Sequence, residues 1–131
     1  MTLTGALLMS LASPGCSDAD RDLPREYQRM PVHEDRLGDK GARERGRMVF
    51  LMNCAICHGE RGDGLGTRRE GLVGRPRDFT TSAWRTTTSP RRVVFAIREG
   101  LTQTSMPAWP TLTDDEVWDV TAYVLSLGER R

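Results

Sequence analysis

Cys54-Ala55-Ile56-Cys57-His58 concentrates the reactive side chains of this chain: two of its three cysteines and one of its two histidines fall within five positions. Three chemistries use such residues. A Cys-x-x-Cys pair can cycle between dithiol and disulfide, but that use belongs to a βαβ setting. A structural zinc site needs four ligands, and the remaining candidates, Cys16 and His33, lie upstream in terminal or polar sequence. The third chemistry needs nothing more than the five residues themselves. Two thiols spaced by two residues and followed at once by histidine read as a c-type haem attachment motif. Each thiol adds across one vinyl group of the porphyrin, and the adjacent imidazole is held where a ring nitrogen reaches the iron. His58 is then the proximal ligand, and His33 is expected to be merely exposed.

A second side chain suits the opposite face of such an iron. Met106 is the only methionine after the motif, and Pro107 pushes it into an extended conformation off any helix face. A core methionine usually sits on an apolar helix stripe. Met48 and Met52 precede the motif by a few residues and belong to a helix. The glycine-rich run Gly59-Glu60-Arg61-Gly62-Asp63-Gly64-Leu65-Gly66 lacks the Lys-Ser/Thr of a phosphate-binding loop and follows no strand, so it reads as a loop leaving the haem edge.

The elements that must position these groups are helices. Ala42, Gly46, Val49, Phe50 and Asn53 fall on one face of a helix predicted from about Asp39 to Cys54. Gly46 costs roughly 1 kcal/mol there relative to Ala, which points to close approach of a second helix. Ser89-Pro90 reads as an N-cap with proline at the first helical position; Val93, Ile97 and Leu101 repeat every four residues, and Gly100 is a stop. Thr113-Asp114-Asp115-Glu116 forms a capping box that opens a last helix, with Val117, Val120, Val124 and Leu127 on one face and Gly128 at its end. Residues 71–88 are expected to stay irregular. Within them Trp84, Arg77 and Arg85 read as donors to haem propionates, and Trp84 with Phe79 reads equally as haem-packing hydrophobes only.

The chain has 131 residues, 37% of them hydrophobic and 28% charged, which bounds it to one small domain whose core a covalently held macrocycle would complete. Three segments are expected: an apolar, signal-like stretch over 1–15, a polar tether or linker over 16–39, interrupted by Pro24 and Pro31, whose Tyr27, Met30 and Val32 could pack on the domain, and a haem domain over 40–131. Formal charge is only +1 but unevenly spread. Residues 61–98 hold nine Arg against three acids, and residues 99–131 hold two Arg against six. The basic middle balances propionates, meets an acidic partner, or is simply solvated. No nucleic-acid partner is expected.

The stretch Gly46-Arg47-Met48-Val49-Phe50, leading into Cys54-Ala55-Ile56-Cys57-His58, resembles the start of a class I cytochrome c, and the resemblance runs over roughly residues 40–128. It implies an all-α cytochrome c fold, about three main helices plus loops wrapped around one covalent haem c. It implies that Gly46 and Phe50 pack against an aromatic of the last helix, here Tyr123, and that a proline carbonyl, here that of Pro76, meets the other nitrogen of His58. Met106-Pro107 with Trp109 nearby resembles the distal loop of bacterial members. The implied role is a one-electron carrier rather than an enzyme, with a redox donor and acceptor as partners. A fixed subunit of a larger respiratory or dehydrogenase complex is the alternative, and a ligand-binding or peroxidatic haem protein is a third. Met1 to Cys16 resembles a bacterial lipoprotein signal, in which Cys16 would carry the lipid. The implied location is the periplasmic side of a bacterial membrane, anchored through Cys16 or, without the lipid, secreted.

Overall fold

A computed structural model describes residues 18–129; the signal-like segment and Cys16 lie outside the described residues. Seven helices follow a short 3-10 turn at Asp18–Asp20: α1 (Arg25–Arg29), α2 (Glu34–Gly38), α3 (Lys40–Asn53), α4 (Ala55–His58), α5 (Ser82–Thr87), α6 (Pro90–Glu99) and α7 (Asp114–Leu127). No strand occurs among the described residues, and none of their helices is long and apolar enough to cross a membrane.

The three long helices start where their caps predict. Asp39 accepts from the Ala42 N–H at 2.6 Å to open α3. Ser89 accepts from the Arg92 N–H at 3.1 Å to open α6. At α7, Thr113 Oγ1 accepts from the Glu116 N–H at 3.3 Å while the Glu116 carboxylate accepts from the Thr113 N–H at 2.8 Å, so two orphan donors are satisfied reciprocally. The stretch expected to be irregular contains α5, because Thr81 supplies a cap by accepting from the Trp84 N–H; a single threonine in a threonine-rich run gave no distinct start signal.

The centre of the fold is the crossing of α3 and α7. Ala42, Gly46 and Phe50 form the buried stripe of α3. A Cβ on Gly46 would lie 1.9 Å from the Asp119 carbonyl oxygen and 2.8 Å from the Val120 nitrogen, so backbone meets backbone and only glycine fits. The expected neighbour, Tyr123, lies one turn on and packs against Phe50 instead, ring centroids 5.3 Å apart. Burying Phe50 completely contributes about 2–3 kcal/mol. Every residue from Val117 to Leu127 is buried. The polar members of that run are satisfied locally or paired: Thr121 donates to the Val117 carbonyl at 2.7 Å, Ser126 to that of Tyr123 at 2.6 Å, and Asp119 accepts from two arginines.

Residues 18–39 pack on the domain, Tyr27, Met30 and Val32 among them. They fold over α6 and α7 as a wrap. Asp20, 1% exposed, accepts from the Ser89 hydroxyl and pairs with Arg91 at 3.2 Å. Arg91 and Arg92 also donate to the carbonyls of Met30 at 2.8 Å and Ala19 at 2.7 Å. Leu23 is buried, Tyr27 meets Phe95 edge-on and hydrogen-bonds Glu99, and Arg36 reaches Asp115 and Asp119. His33 is exposed, as expected, with one face against Trp118 at 4.7 Å. Low apolar content hid this wrap because its charged residues find partners distant in sequence.

Candidate functional site

Cys54 interrupts the α3–α4 helical path with φ −109°, yet its carbonyl still accepts from the N–H groups of Cys57 and His58 at 3.1 and 2.9 Å. The break places the thiols of Cys54 and Cys57 within one turn of His58. Both thiols are free and half-buried. Burial, aided by the neighbouring Cys57, pushes the Cys54 thiol up to about 12, so it stays protonated at neutral pH. Among the described residues no cluster of three or more His, Cys, Asp and Glu could hold a metal ion.

His58 is fixed from two sides. Its ring stacks on Phe79, centroids 4.6 Å apart and 26° between planes. Its Nδ1 lies 3.1 Å from a backbone carbonyl oxygen, and that carbonyl belongs to Arg77, which corrects the assignment to Pro76. The reason is loop register. Gly62 accepts from the Phe79 N–H at 2.7 Å, and the Pro76 carbonyl is turned against Gly64, where a Cβ would sit 2.7 Å from it. The next carbonyl along is the one that meets the ring. With Nδ1–H donating to Arg77, Nε2 keeps its lone pair for a metal. Burial holds the imidazole below its usual range, which favours the neutral, ligating form, and the Arg77 carbonyl opposes that shift.

The loop over 59–80 also reaches the second candidate ligand. Val73 accepts from the Ser105 N–H at 2.9 Å, and its own N–H donates to Ser105 Oγ at 2.8 Å. Met106 follows directly. Its N–H donates to Thr104 Oγ1 and its carbonyl accepts from the Leu101 N–H, both at 3.1 Å. Behind it Gly100, at φ +71°, lets residues 106–108 press so close that a Cβ would meet the Ala108 nitrogen at 2.8 Å. The segments carrying His58 and Met106 are therefore tied to one loop.

The other candidates separate. Arg85 pairs with Glu129 at 3.8 Å, but its Nε is buried without a hydrogen-bond partner. Trp84 packs against Phe79, centroids 4.8 Å apart, and Arg77 contributes its carbonyl while its residue is exposed. Trp109 was missed as a donor: its Nε1 is also buried without a partner. Its place three residues after Met106 was the available signal. A buried N–H left unmade costs about 1–3 kcal/mol. Two such donors, two free thiols, an imidazole committed at Nδ1, and exposed Leu65, Val73 and Leu101 are what a large apolar ring with anionic substituents would satisfy, so the residues fit haem.

Residues 41–124 match the family model described as cytochrome c oxidase, cbb3-type, subunit III. The chain belongs to that family. Its cytochrome c domain implies covalent haem c, and Cys54 and Cys57 are consistent with the attachment motif. The cbb3-type cytochrome c oxidase subunit FixP of Azorhizobium caulinodans is 34% identical over 95 residues, 70% of this chain and 29% of that protein, so the chain spans less than a third of this relative. Among solved structures, the reducing HAO-like protein complex Kustc0457/Kustc0458 of Kuenenia stuttgartiensis matches with TM-score 0.61 and 32% identity over 68% of this chain and 44% of that one. The KustC0563 c-type cytochrome matches with TM-score 0.51 and 30% identity over 63% of this chain and 95% of that one. The all-helical architecture is thus that of c-type cytochromes.

Proposed function

We propose that this cytochrome c domain is a one-electron carrier, in which Cys54 and Cys57 would hold haem c and His58 and Met106 would bind its iron. The observation that carries the reading is the His58 ring, committed at Nδ1 to the Arg77 carbonyl and braced by Phe79, beside two free thiols. When bound, haem c supplies one-electron exchange at iron, and a His/Met pair favours a higher potential than two histidines would. The chain's own residues do the rest. Arg77 fixes the imidazole tautomer and raises its basicity, Phe79 fixes its plane, and Thr104, Leu101 and Gly100 hold the Met106 loop. Arg85 and Trp109 offer hydrogen-bond donors to the propionates. A carrier needs little rearrangement between redox states, and this braced site suits it.

The test is the optical spectrum of the oxidised, haem-loaded protein. The weak sulfur-to-iron charge-transfer band in the far red should be present and should vanish in Met106→Ala. Bound haem without that band, together with rapid CO binding after reduction, would favour the ligand-binding reading instead.

A fixed place in a respiratory complex is the second reading, favoured by the likeness to FixP, an oxidase subunit. Stoichiometric copurification with other subunits would establish it, and recovery as a free monomer from gently solubilised membranes would exclude it. We place the domain on the periplasmic side of a bacterial membrane, anchored through Cys16. Fatty-acid labelling that survives in the wild type and disappears in Cys16→Ser would support the anchor.

A further inference from the structure

Met106 sits in a turn that closes on itself. The Thr104 N–H donates to the Leu101 carbonyl at 3.2 Å, and the Leu101 N–H donates to the Met106 carbonyl at 3.1 Å. Thr104 Oγ1 donates to the Leu101 carbonyl at 2.8 Å while it accepts from the Met106 N–H. One side of this turn rests on α6: Gly100 packs behind it, and past Met106 the Trp109 N–H donates to the Ile97 carbonyl at 2.9 Å. The hydrogen bonds that tie the other side to the 59–80 loop are both made by Ser105, whose N–H and Oγ pair with Val73 at 2.9 and 2.8 Å. Next to Val73, Gly74 turns the loop at φ +80°, and a Cβ there would lie 3.6 Å from Thr104.

Two features make this tie releasable. Ser105 and Val73 are exposed, so water competes for both hydrogen bonds, and exposed bonds of this kind belong to the parts of a protein that open first. The turn also works against itself. Gln103, at φ +63°, is the one non-glycine residue in the left-handed region among the described residues. It occupies the third position of the Leu101–Thr104 turn, where a positive φ favours glycine or asparagine. Opening the turn lets Gln103 return to an ordinary backbone conformation. The 59–80 loop is the fixed partner, because the Phe79 N–H donates to the Gly62 carbonyl at 2.7 Å and the Arg77 carbonyl meets His58 Nδ1.

We propose that Ser105 is a positioning residue for Met106: its pair of hydrogen bonds with Val73 latches the 101–106 turn to the loop that fixes His58, and the strain at Gln103 pulls the other way. The balance of the two sets how readily the Met106 thioether gives up its place to another ligand. This latch rests on the reading of Met106 as an iron ligand and deepens it. Neither Ser105 nor Gln103 is asked to touch the reacting atoms; both act through the backbone that carries Met106. Removing the Ser105 hydroxyl leaves one bond of the two and turns the Val73 N–H over to water, so the turn opens more often. Relieving Gln103 does the reverse.

The test titrates the oxidised, haem-loaded protein with imidazole, a small external ligand, and follows the loss of the far-red sulfur-to-iron band. In Ser105→Ala the half-saturating imidazole concentration should fall about threefold, the order expected for one exposed hydrogen bond. Ser105→Thr, which keeps the hydroxyl, should restore the wild-type value. Gln103→Asn should raise it about twofold, because asparagine tolerates a positive φ. Both positions are exposed, so thermal unfolding without imidazole should stay at the wild-type value while imidazole affinity moves in opposite directions. An unchanged imidazole concentration in Ser105→Ala, a fall in Ser105→Thr equal to that in Ser105→Ala, or a fall in Gln103→Asn would each overturn the latch. The wild-type spectrum separates the two readings. If bound haem shows no far-red band, Met106 ligation fails and takes the latch with it; if the band is present and its displacement ignores Ser105→Ala, only the latch fails.

Discussion

The α3–α7 crossing and the N-terminal wrap hold the last two helices by opposite means. At the crossing, shape decides: Gly46 lets two backbones touch, and Phe50, Val117 and Val120 are at most 1% exposed. In the wrap, polar pairs decide: Asp20 with Arg91, Arg36 with Asp115 and Asp119, and Arg92 with the Ala19 carbonyl. Close packing fails when a single atom is added, whereas a polar network loses one partner at a time and responds to salt and pH. The matched family region begins at residue 41, so the wrap lies outside it.

The largest effect should come from Gly46→Val. Backbone cannot yield as a side-chain tip can, so the substitution should cost about 3 kcal/mol, read by denaturant unfolding of the haem-loaded protein. A loss below about 1 kcal/mol would show that the crossing tolerates volume and would erase the contrast.

Asp20→Ala comes next. It strands the Ser89 hydroxyl and part of the Arg91 charge, and should cost about 2 kcal/mol. Because Arg91 keeps the Met30 carbonyl and some exposure, the loss should stay below that of Gly46→Val. High salt should shrink this difference and leave the Gly46→Val difference unmoved.

Arg36 belongs to the wrap and Arg45 to α3, yet both donate to Asp119, at 3.1 and 2.7 Å. A double-mutant cycle of Arg36→Ala and Arg45→Ala should give a coupling of about 0.5–1 kcal/mol. Strict additivity would mean that wrap and crossing are independent.

The smallest effect is a pH signature of the wrap. Burial, then the hydrogen bond and charge of Glu99, push the Tyr27 hydroxyl up to about 12, with Glu26 adding to the rise and Arg98 opposing it. A raised folded value means that the stabilisation is complete below the ordinary tyrosine value of about 10 and is lost as pH rises through about 12. Tyr27→Phe should remove that component of the alkaline fall in thermal stability and leave the neutral-pH profile shape unchanged.

What could be read from the sequence follows the same division. The caps at Asp39, Ser89 and Thr113 are local and sit within three residues of what they bind, so all three long helices start where expected. Gly46 announced a close approach through its cost in a helix, though periodicity alone could not say that the contact is Asp119–Val120 backbone rather than the Tyr123 ring. In the site, Cys54 and Cys57 followed by His58 were legible as an attachment motif from residue type and spacing. The carbonyl on Nδ1 was misassigned by one residue, because loop register depends on the Phe79–Gly62 hydrogen bond and the Gly64 contact, which no periodicity encodes. In the wrap, the packing of Tyr27, Met30 and Val32 was open to sequence reasoning and its ion pairs were not: Asp20 and Arg91 are 71 residues apart, and an isolated charge looks the same in sequence whether solvated or paired.

Asp20 has a mechanical consequence. It grips the first turn of α6 through Ser89 and Arg91, and the far end of α6 at Gly100 clamps the Met106 loop. A pull applied at Asp18 therefore reaches a helix about 15 Å long, whose opposite end holds the proposed iron ligand, before it can strip the wrap away. Under the proposed Cys16 anchor the domain would be mounted rather than leashed, and tension on its mount would be tension along the lever that carries Met106.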